Sequence, residues 1–274
     1  MPQNMELRER YSSLVLAKQR KTSLFINLFN RNYQGDPTAG AVKIPVRDTE
    51  VKVNSYDKVK GTTLTTSTTS YKTLVTDHDN AVNELVDGYV ASAVPDNLVA
   101  ERLDSAGYSM AMQVDTDLCN ELITHGTAIT DTKALTKTGI YDAIIDARTQ
   151  ARKAHLKTAE MWLAVSPETY ALILKCPEFI KASALGDAVV QTGAVGQIGG
   201  ISVYEADNLT ADTVDFILGN RIFCHYVDDW AVPVGVNDLA DGEHIGASAI
   251  QGRDVYGYMI SRPDTVLVKK HVAA

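Results

Sequence analysis

Residues 41–76 read as two extended arms, the first alternating apolar and polar side chains and the second, rich in threonine, with almost nothing to bury. Val42, Ile44 and Val46 alternate with Lys43, Pro45 and Arg47, and Val51 and Val53 alternate with Glu50, Lys52 and Asn54, the period of a strand. The apolar positions pass from even to odd numbers between Val46 and Val51, which predicts a bulge or bend near Asp48–Thr49. Pro45 has no N–H to give a ladder and so belongs on an edge strand. Tyr56 to Gly61 has turn character. On the return, eight of the fifteen residues from Thr62 to Thr76 are threonine, and Leu64 is the only strongly apolar side chain before Tyr71. Threonine favours extended backbone, so the segment reads as a long β-hairpin.

Its length is the constraint. An arm of about 15 residues, at about 3.3 Å per residue, reaches about 50 Å. A compact globule of 274 residues has a radius of gyration of about 19 Å and a diameter of about 50 Å. An arm as long as the body does not fold back over it, and a lone two-stranded hairpin is marginal in water with two open edges. The hairpin is therefore expected to be ordered by something outside its own domain. The plainer alternative is a pair of ordinary sheet strands.

The charge is uneven in the same spirit. Residues 1–31 carry Arg8, Arg10, Lys18, Arg20, Lys21 and Arg31 against Glu6 and Glu9, a net +4. The whole chain is −8, so the remaining residues carry −12. A basic segment on an acidic body reads either as an arm with its own partner or as a solvated helix face. Leu7, Tyr11, Leu14, Val15, Phe25, Leu28 and Phe29 predict an amphipathic helix over residues 5–30, ended by Gly35-Asp36-Pro37. Sequence-specific nucleic-acid binding is not indicated, because no basic stripe, zinc-finger spacing or aromatic RNA-binding run is present.

With 45% hydrophobic and 22% charged residues, the chain is composed as a globular protein, and neither disorder nor a collagen repeat fits. Cys119, Cys176 and Cys224 form no CxxC pair and read as small buried hydrophobes. Charges interrupt the first 30 residues, so no secretory signal is expected, and no membrane-spanning stretch is expected either.

After Pro95 the period returns to 3.6. Asp96 is a candidate cap, and Leu98, Leu103, Ala106, Met110, Val114, Leu118 and Leu122 form an apolar stripe that ends at His125 and Gly126. Some 30 residues at 1.5 Å each make a helix about 45 Å long. Asp104, Asp115 and Asp117 are assigned to its solvated side. Beyond it, Ile140–Ala154 reads as a helix, Met161–Val165 as a buried strand, and Ser166-Pro167-Glu168 as a capped helix start. Cys176-Pro177 interrupts that helix, which resumes over Phe179–Ala184. Strands are expected near Ile201–Glu205, Val214–Leu218, Ile222–Tyr226, Trp230–Val236, Ala249–Ser261 and Thr265–Lys269.

Chemistry is scarce. Gly193, Gly196, Gly199 and Gly200 are spaced GxxGxxG and precede a strand where a phosphate-cradling helix should begin, so they read as a close-packed loop. Asp77-His78-Asp79 cannot all face one ion from a strand, and His225 with Asp228 and Asp229 reads as a strand end and turn. No GxSxG elbow, HExxH helix or zinc spacing occurs, and no cofactor or metal is called for. The chain is not read as an enzyme.

The order of elements, a basic arm, a long hairpin, a long helix, a mixed α/β region and closing strands, resembles the major capsid protein of tailed bacteriophages. This is the Hong Kong 97-type fold, α+β, shared with encapsulins and herpesvirus capsid floors. GDPTAGAVKIPV (35–46) resembles that family's entry into its extended loop, and SPETYALIL (166–174) the strand-to-helix step of its axial domain. GAVGQIGGISVYEADNL (193–209) resembles its glycine loop, and IQGRDVYGYMISRPDTVLV (250–268) its return into the peripheral domain. The resemblance implies an N-terminal arm over 1–40, an extended loop over 41–76, and a peripheral domain over 77–138 whose spine helix covers about 96–126. It further implies an axial domain over 139–245 and a return into the peripheral domain over 246–274.

It implies hexamers and pentamers of an icosahedral shell around packaged double-stranded DNA, assembled in the cytoplasm of a bacterial host. Portal, scaffold or decoration proteins are the implied further partners. The candidate assembly interface comprises Arg8, Arg10, Lys18, Arg20, Lys21, Arg31, Asp48, Glu50, Lys52, Lys58, Lys60, Leu64 and Tyr71, with Gly193, Gly196, Gly199 and Gly200 in the axial loop. Some relatives remove an N-terminal scaffolding region; this sequence starts at the arm, so scaffold is expected to be separate or absent. Some cross-link a loop lysine, for which Lys58 and Lys60 lie at the right place. Two other readings stay open: an encapsulin-like compartment enclosing protein cargo, and a cytoplasmic α/β enzyme or ligand-binding protein using the 193–200 loop.

Overall fold

The computed structural model describes residues 20–21, 23–32, 40–46, 50–66, 68–93, 98–131, 133–177, 196–209, 213–239 and 242–272. In chain order the elements are α1 (Phe25–Leu28), β1 (Ala41–Val46), β2 (Ser70–Val75), β3 (His78–Val86), α2 (Gly88–Ala93) and α3 (Leu98–His125). There follow β4 (Thr127–Ala128), α4 (Ile140–Lys153), β5 (Met161–Val165), α5 (Pro167–Leu174), β6 (Gln197–Ile198) and β7 (Ile201–Glu205). The chain closes with β8 (Val214–Asn220), β9 (Cys224–Asp238), β10 (Ser248–Ile260) and β11 (Leu267–Lys270). The fold is α+β, as expected. Among the described residues no helix is long and apolar enough to cross a membrane.

Three sheets form. A six-stranded sheet runs β4-β11-β8-β5-β7-β6, a three-stranded sheet β3-β10-β9, and β1 pairs with β2 alone. The Met161–Val165 run is apolar at every position because β5 lies mid-sheet and is buried on both faces. Leu163 and Val165 pack with Ile140, Ile144, Ala147 and Ala151 of α4. Trp162 and Ala164 face the other way, toward Val114, Leu118 and Leu122 of α3. Ser166 caps α5 as its sequence demands, its Oγ accepting from Thr169 N at 3.2 Å, with Pro167 at the first helical position.

Several expectations are corrected. Of the helix expected over 5–30, Phe25–Leu28 is helical and residues 20, 21, 23 and 24 are not; residues 1–19 lie outside the described residues. The burial that drove the expectation is real, since Phe25, Leu28 and Phe29 enter the main core beside α3, the six-stranded sheet and β9–β10. The strands expected at Ile222–Tyr226 and Trp230–Val236 are one 15-residue strand, β9. The ladder with β10 absorbs Asp228-Asp229 and Pro233 through register shifts at Gln251/Arg253 and Val255/Tyr256. Gly126 ends α3 by fit, not by a left-handed turn: a Cβ there would lie 2.5 Å from Leu122 O and 2.6 Å from Val268 Cγ2. The resumed helix at Phe179–Ala184 and the bend at Asp48–Thr49 lie outside the described residues.

Candidate assembly interface

Among its described residues, the hairpin is anchored on the body at its base. β1 and β2 pair antiparallel from Ala41↔Val75 to Val46↔Ser70, a ladder of six residues per arm. The paired part is therefore much shorter than the arms, because only here does the alternation bury anything: Ile44 and Leu74 pack on Val227, with Val42 and Met259 beside them. Gly257 makes that seat possible, since a Cβ there would sit 2.4 Å from Val75 O and 2.8 Å from Leu74 Cδ2. Lys72 Nζ donates to Ser261 O at 2.6 Å, and Thr76 Oγ1 donates to Asp229 Oδ2 at 2.7 Å. A small cavity of about 80 Å³ remains under β1, lined by Ile44, Pro45, Val46, Ile222, Phe223, His225 and Ser261. His225 is buried, its Nε2 3.0 Å from Ser261 Oγ, and burial lowers its pKa to about 4.

Beyond the ladder, residues 50–56, 62–66 and 68–69 carry no strand pairing, and the tip at Asp57–Gly61 is joined by mutual backbone hydrogen bonds. The Asp57 carboxylate accepts from Val59 N (2.7 Å) and Lys60 N (3.0 Å), which holds its pKa below the usual carboxylate value. Gly61 takes the left-handed conformation that closes the turn, φ 72°. Of the candidate interface residues, Glu50, Lys52, Lys58, Lys60, Leu64 and Tyr71 are all exposed; Asp48 lies outside the described residues. Val53, Val59 and Leu64 are 94%, 91% and 97% exposed, so the tip presents apolar side chains to solvent that its own subunit does not cover.

The basic arm behaves differently. The Arg20 guanidinium pairs with Asp104 and stacks over Tyr108 at 4.8 Å, and Lys21 N donates to Tyr108 Oη at 2.8 Å. Arg31 pairs with Asp228 and stacks over Tyr226 at 5.5 Å. The charge of Arg20 and Arg31 is thus answered by acids of the same subunit. Arg8, Arg10 and Lys18 lie outside the described residues.

The residue that sequence reasoning misplaced is Asp115. It was assigned to the solvated side of α3 but is 1% exposed. Its Oδ1 accepts from Ser23 Oγ (3.1 Å), Leu24 N (2.8 Å) and Phe25 N (2.6 Å), and its Oδ2 from Asn208 Nδ2 (2.6 Å). One buried carboxylate therefore ties the arm, α3 and the segment after β7 together, and it holds the N–H groups at the start of α1. The signal was in the spacing: Asp115 lies three and seven residues before Leu118 and Leu122, on the apolar stripe itself. Asp117 is half-buried and accepts from Tyr256 Oη at 2.5 Å, whereas Asp104 is exposed.

The glycine segment is a turn. Gly196, Gly199 and Gly200 have φ of 67°, 57° and 81° around the β6–β7 connection, and Arg148 Nε donates to Gly199 O at 2.8 Å. A Cβ on Gly199 would meet Arg148 Cδ at 3.1 Å and Ile145 Cδ1 at 3.2 Å, so the turn packs on α4. Gly193 lies outside the described residues. The metal-ligand candidates turn apart as strand alternation requires: His78 stacks on Tyr258 at 4.4 Å, while Asp79 accepts from Arg253 Nε at 2.7 Å. Among the described residues no three His, Cys, Asp or Glu groups are placed to share an ion. The three cysteines are buried and form no disulfide, and burial pushes Cys119 and Cys224 up to about 12.

The model of a family described as phage capsid protein matches residues 90–268. No curated protein matches the chain. Among solved structures, one described as Mycobacterium phage Che8 has a TM-score of 0.82 at 24% identity, covering 97% of each chain. The capsid of the cyanophage P-SCSP1u has a TM-score of 0.78 at 15% identity, covering 97% of this chain and 93% of that one. The mature capsid of bacteriophage PhiM1 has a TM-score of 0.74 at 16% identity, covering 97% and 92%.

Proposed function

Because the chain belongs to the phage capsid protein family, we propose that its hairpin and arm are the parts by which copies of it join into a shell. The protein is structural, the major capsid subunit of an icosahedral bacteriophage shell, and its place is the virion capsid. The observation that carries the role of the hairpin is its anchoring: six residues per arm are held on the body, and the remainder extends with its apolar side chains uncovered. A neighbouring copy supplies what covers them.

In this reading, residues 1–40 form the arm and 41–76 the extended loop. Residues 77–138 and 246–274 form the peripheral domain, and 139–245 the axial domain. The two larger sheets favour two domains, with bounds that differ from these at two places. The pairing of β9 with β10 favours counting Cys224–Asp238 with the peripheral sheet, and the pairing of β11 with β8 favours counting Leu267–Lys270 with the axial one. The turn at Gly196–Gly200 is then an axial loop near a capsomer centre. Copies gather as hexamers and pentamers in the host cytoplasm, with portal, scaffold or decoration proteins as further partners. Packaged double-stranded DNA lies inside, and the −12 body favours a container that does not adhere to it broadly. Size-exclusion chromatography of the purified chain with negative-stain microscopy tests this reading. Closed particles of megadalton size are expected, and a stable species of tens to a few hundred kilodaltons under all conditions would sink it.

A further inference from the structure

We propose that the end of the six-stranded sheet where α4 stops is the surface of the subunit that meets packaged double-stranded DNA and so faces the inside of the shell, an inference that rests on the assembly reading above. The pairing of the described arginines points there. Arg20 pairs with Asp104, Arg31 with Asp228, Arg102 with Glu84, Arg253 with Asp79 and Arg262 with Asp264. Arg148, Arg152 and Arg221 have no carboxylate partner among the described residues. Arg148 Nε donates to Gly199 O at 2.8 Å and Arg152 Nη1 to Leu156 O at 2.6 Å. Those bonds hold each guanidinium in place and leave its charge unanswered. In a chain of net charge −8, where acids are in excess, three unanswered arginines in one place mark a surface open to an outside anion.

The fold gathers these cations from three segments. Residues 147–159, the end of α4 and the stretch after it, hold Arg148, Arg152, Lys153 and Lys157 and no acid. β5 begins at Met161, opposite Asn220 at the end of β8, and Arg221 N donates to Glu160 O at 3.0 Å, so Arg221 joins them. The Gly199–Gly200 turn closes the same end, since a Cβ on Gly200 would lie 3.5 Å from Thr158 Cγ2. Arg152, Lys153, Lys157 and Arg221 are exposed. The partial charge at a helix C-terminus accounts for Arg152 and Lys153, which lie in the last turn of α4, but not for Lys157 or Arg221. Cations spread over three segments suit an extended polyanion. Of residues 147–160, 196–201 and 219–223, only Ile222, at 43%, is a large apolar side chain in the open. A protein partner needs an apolar centre, whereas duplex DNA, with one charge per about 1.7 Å of its axis, needs only cations. Such a contact touches phosphates and reads no sequence.

The test measures binding of a fluorescent duplex of about 20 base pairs to the full chain by anisotropy, with subunits kept dilute and unassembled and, separately, as closed shells. The unassembled parent should bind with an affinity that falls with salt, by a log–log slope of about 3–5 at about 0.9 per phosphate met. The variant Lys153→Gln/Lys157→Gln/Arg221→Gln alters three exposed side chains that make no internal bond among the described residues. It should lower that slope by about 2–3 and the affinity in about 50 mM salt by at least about tenfold. Lys52→Gln/Lys58→Gln/Lys60→Gln, which removes three exposed cations of the hairpin, should stay within about twofold of the parent, and closed parent shells should not bind the duplex. Equal losses in the two variants, no binding by parent subunits, or closed shells binding as tightly as subunits would each overturn the proposal. Polyglutamate bound more tightly than the duplex at equal salt would overturn it too, and would assign the surface to an acidic protein. None of those outcomes touches the assembly reading, which fails instead if the unsubstituted chain forms no shells.

Discussion

Asp115 carries more of the arm's attachment than Arg20 or Arg31 does. Removing its carboxylate leaves the N–H groups of Leu24 and Phe25 and the Asn208 amide without their buried acceptor. Asp115→Ala is expected to lower stability by about 3–5 kcal/mol in urea denaturation. It should also open Lys21 to trypsin far faster than in the parent chain; unchanged cleavage would show that the arm is held by its apolar residues alone. His225 makes a pH prediction. Its pKa of about 4 in the fold lies below the ordinary histidine value of about 6.5, so the unfolded chain takes up the proton first. Its contribution is fully present above about pH 6.5, falls as pH drops, and levels off below about pH 4, a loss of at most about 3 kcal/mol. His225→Gln should flatten that part of the stability profile between pH 7 and 4.5; an identical slope in the variant would contradict it.

At the scale of elements, the root of the hairpin depends on the absence of one methyl group. Gly257→Ala would press a Cβ against the Val75 carbonyl oxygen and the Leu74 side chain. It is expected to cost about 1–3 kcal/mol and to strip hydrogen-exchange protection from Ala41–Val46 and Ser70–Val75 before the rest of the body. Protection that stays at parent levels would mean that the ladder does not rely on this seat. Element legibility followed burial. Met161–Val165 and Ile201–Glu205 were readable to the residue, the first from a run that only a doubly buried strand needs. β3 was missed because its nine residues are mostly polar and only half-buried on the α3 side. α1 was overextended because Phe25, Leu28 and Phe29 gave a helical period, while the backbone just before it bonds instead to a carboxylate 90 residues away. The hairpin was legible as a hairpin, but its unpaired outer part was not, since threonine favours extension without supplying anything to pair against.

For the whole molecule, the sequence already posed the problem that assembly solves: an arm as long as the body, with no core of its own. The six-residue ladder, the uncovered tip and the capsid family match make one account, in which the compact part is a stable body and the extension is its means of joining a neighbour. What stayed illegible were the distant partners, the arm for Asp115 and the hairpin for Gly257: spacing can place Asp115 on a buried face, but no local pattern names what it meets there. The account is tested most directly by replacing residues 47–69 with an Asn-Gly turn, which joins Val46 to Ser70 so as to preserve the β1–β2 ladder and removes everything beyond it. The replaced chain should be folded by circular dichroism, elute as a small species and give no closed particles by negative-stain microscopy. Normal closed shells from that chain would contradict the claim that the hairpin joins the subunits.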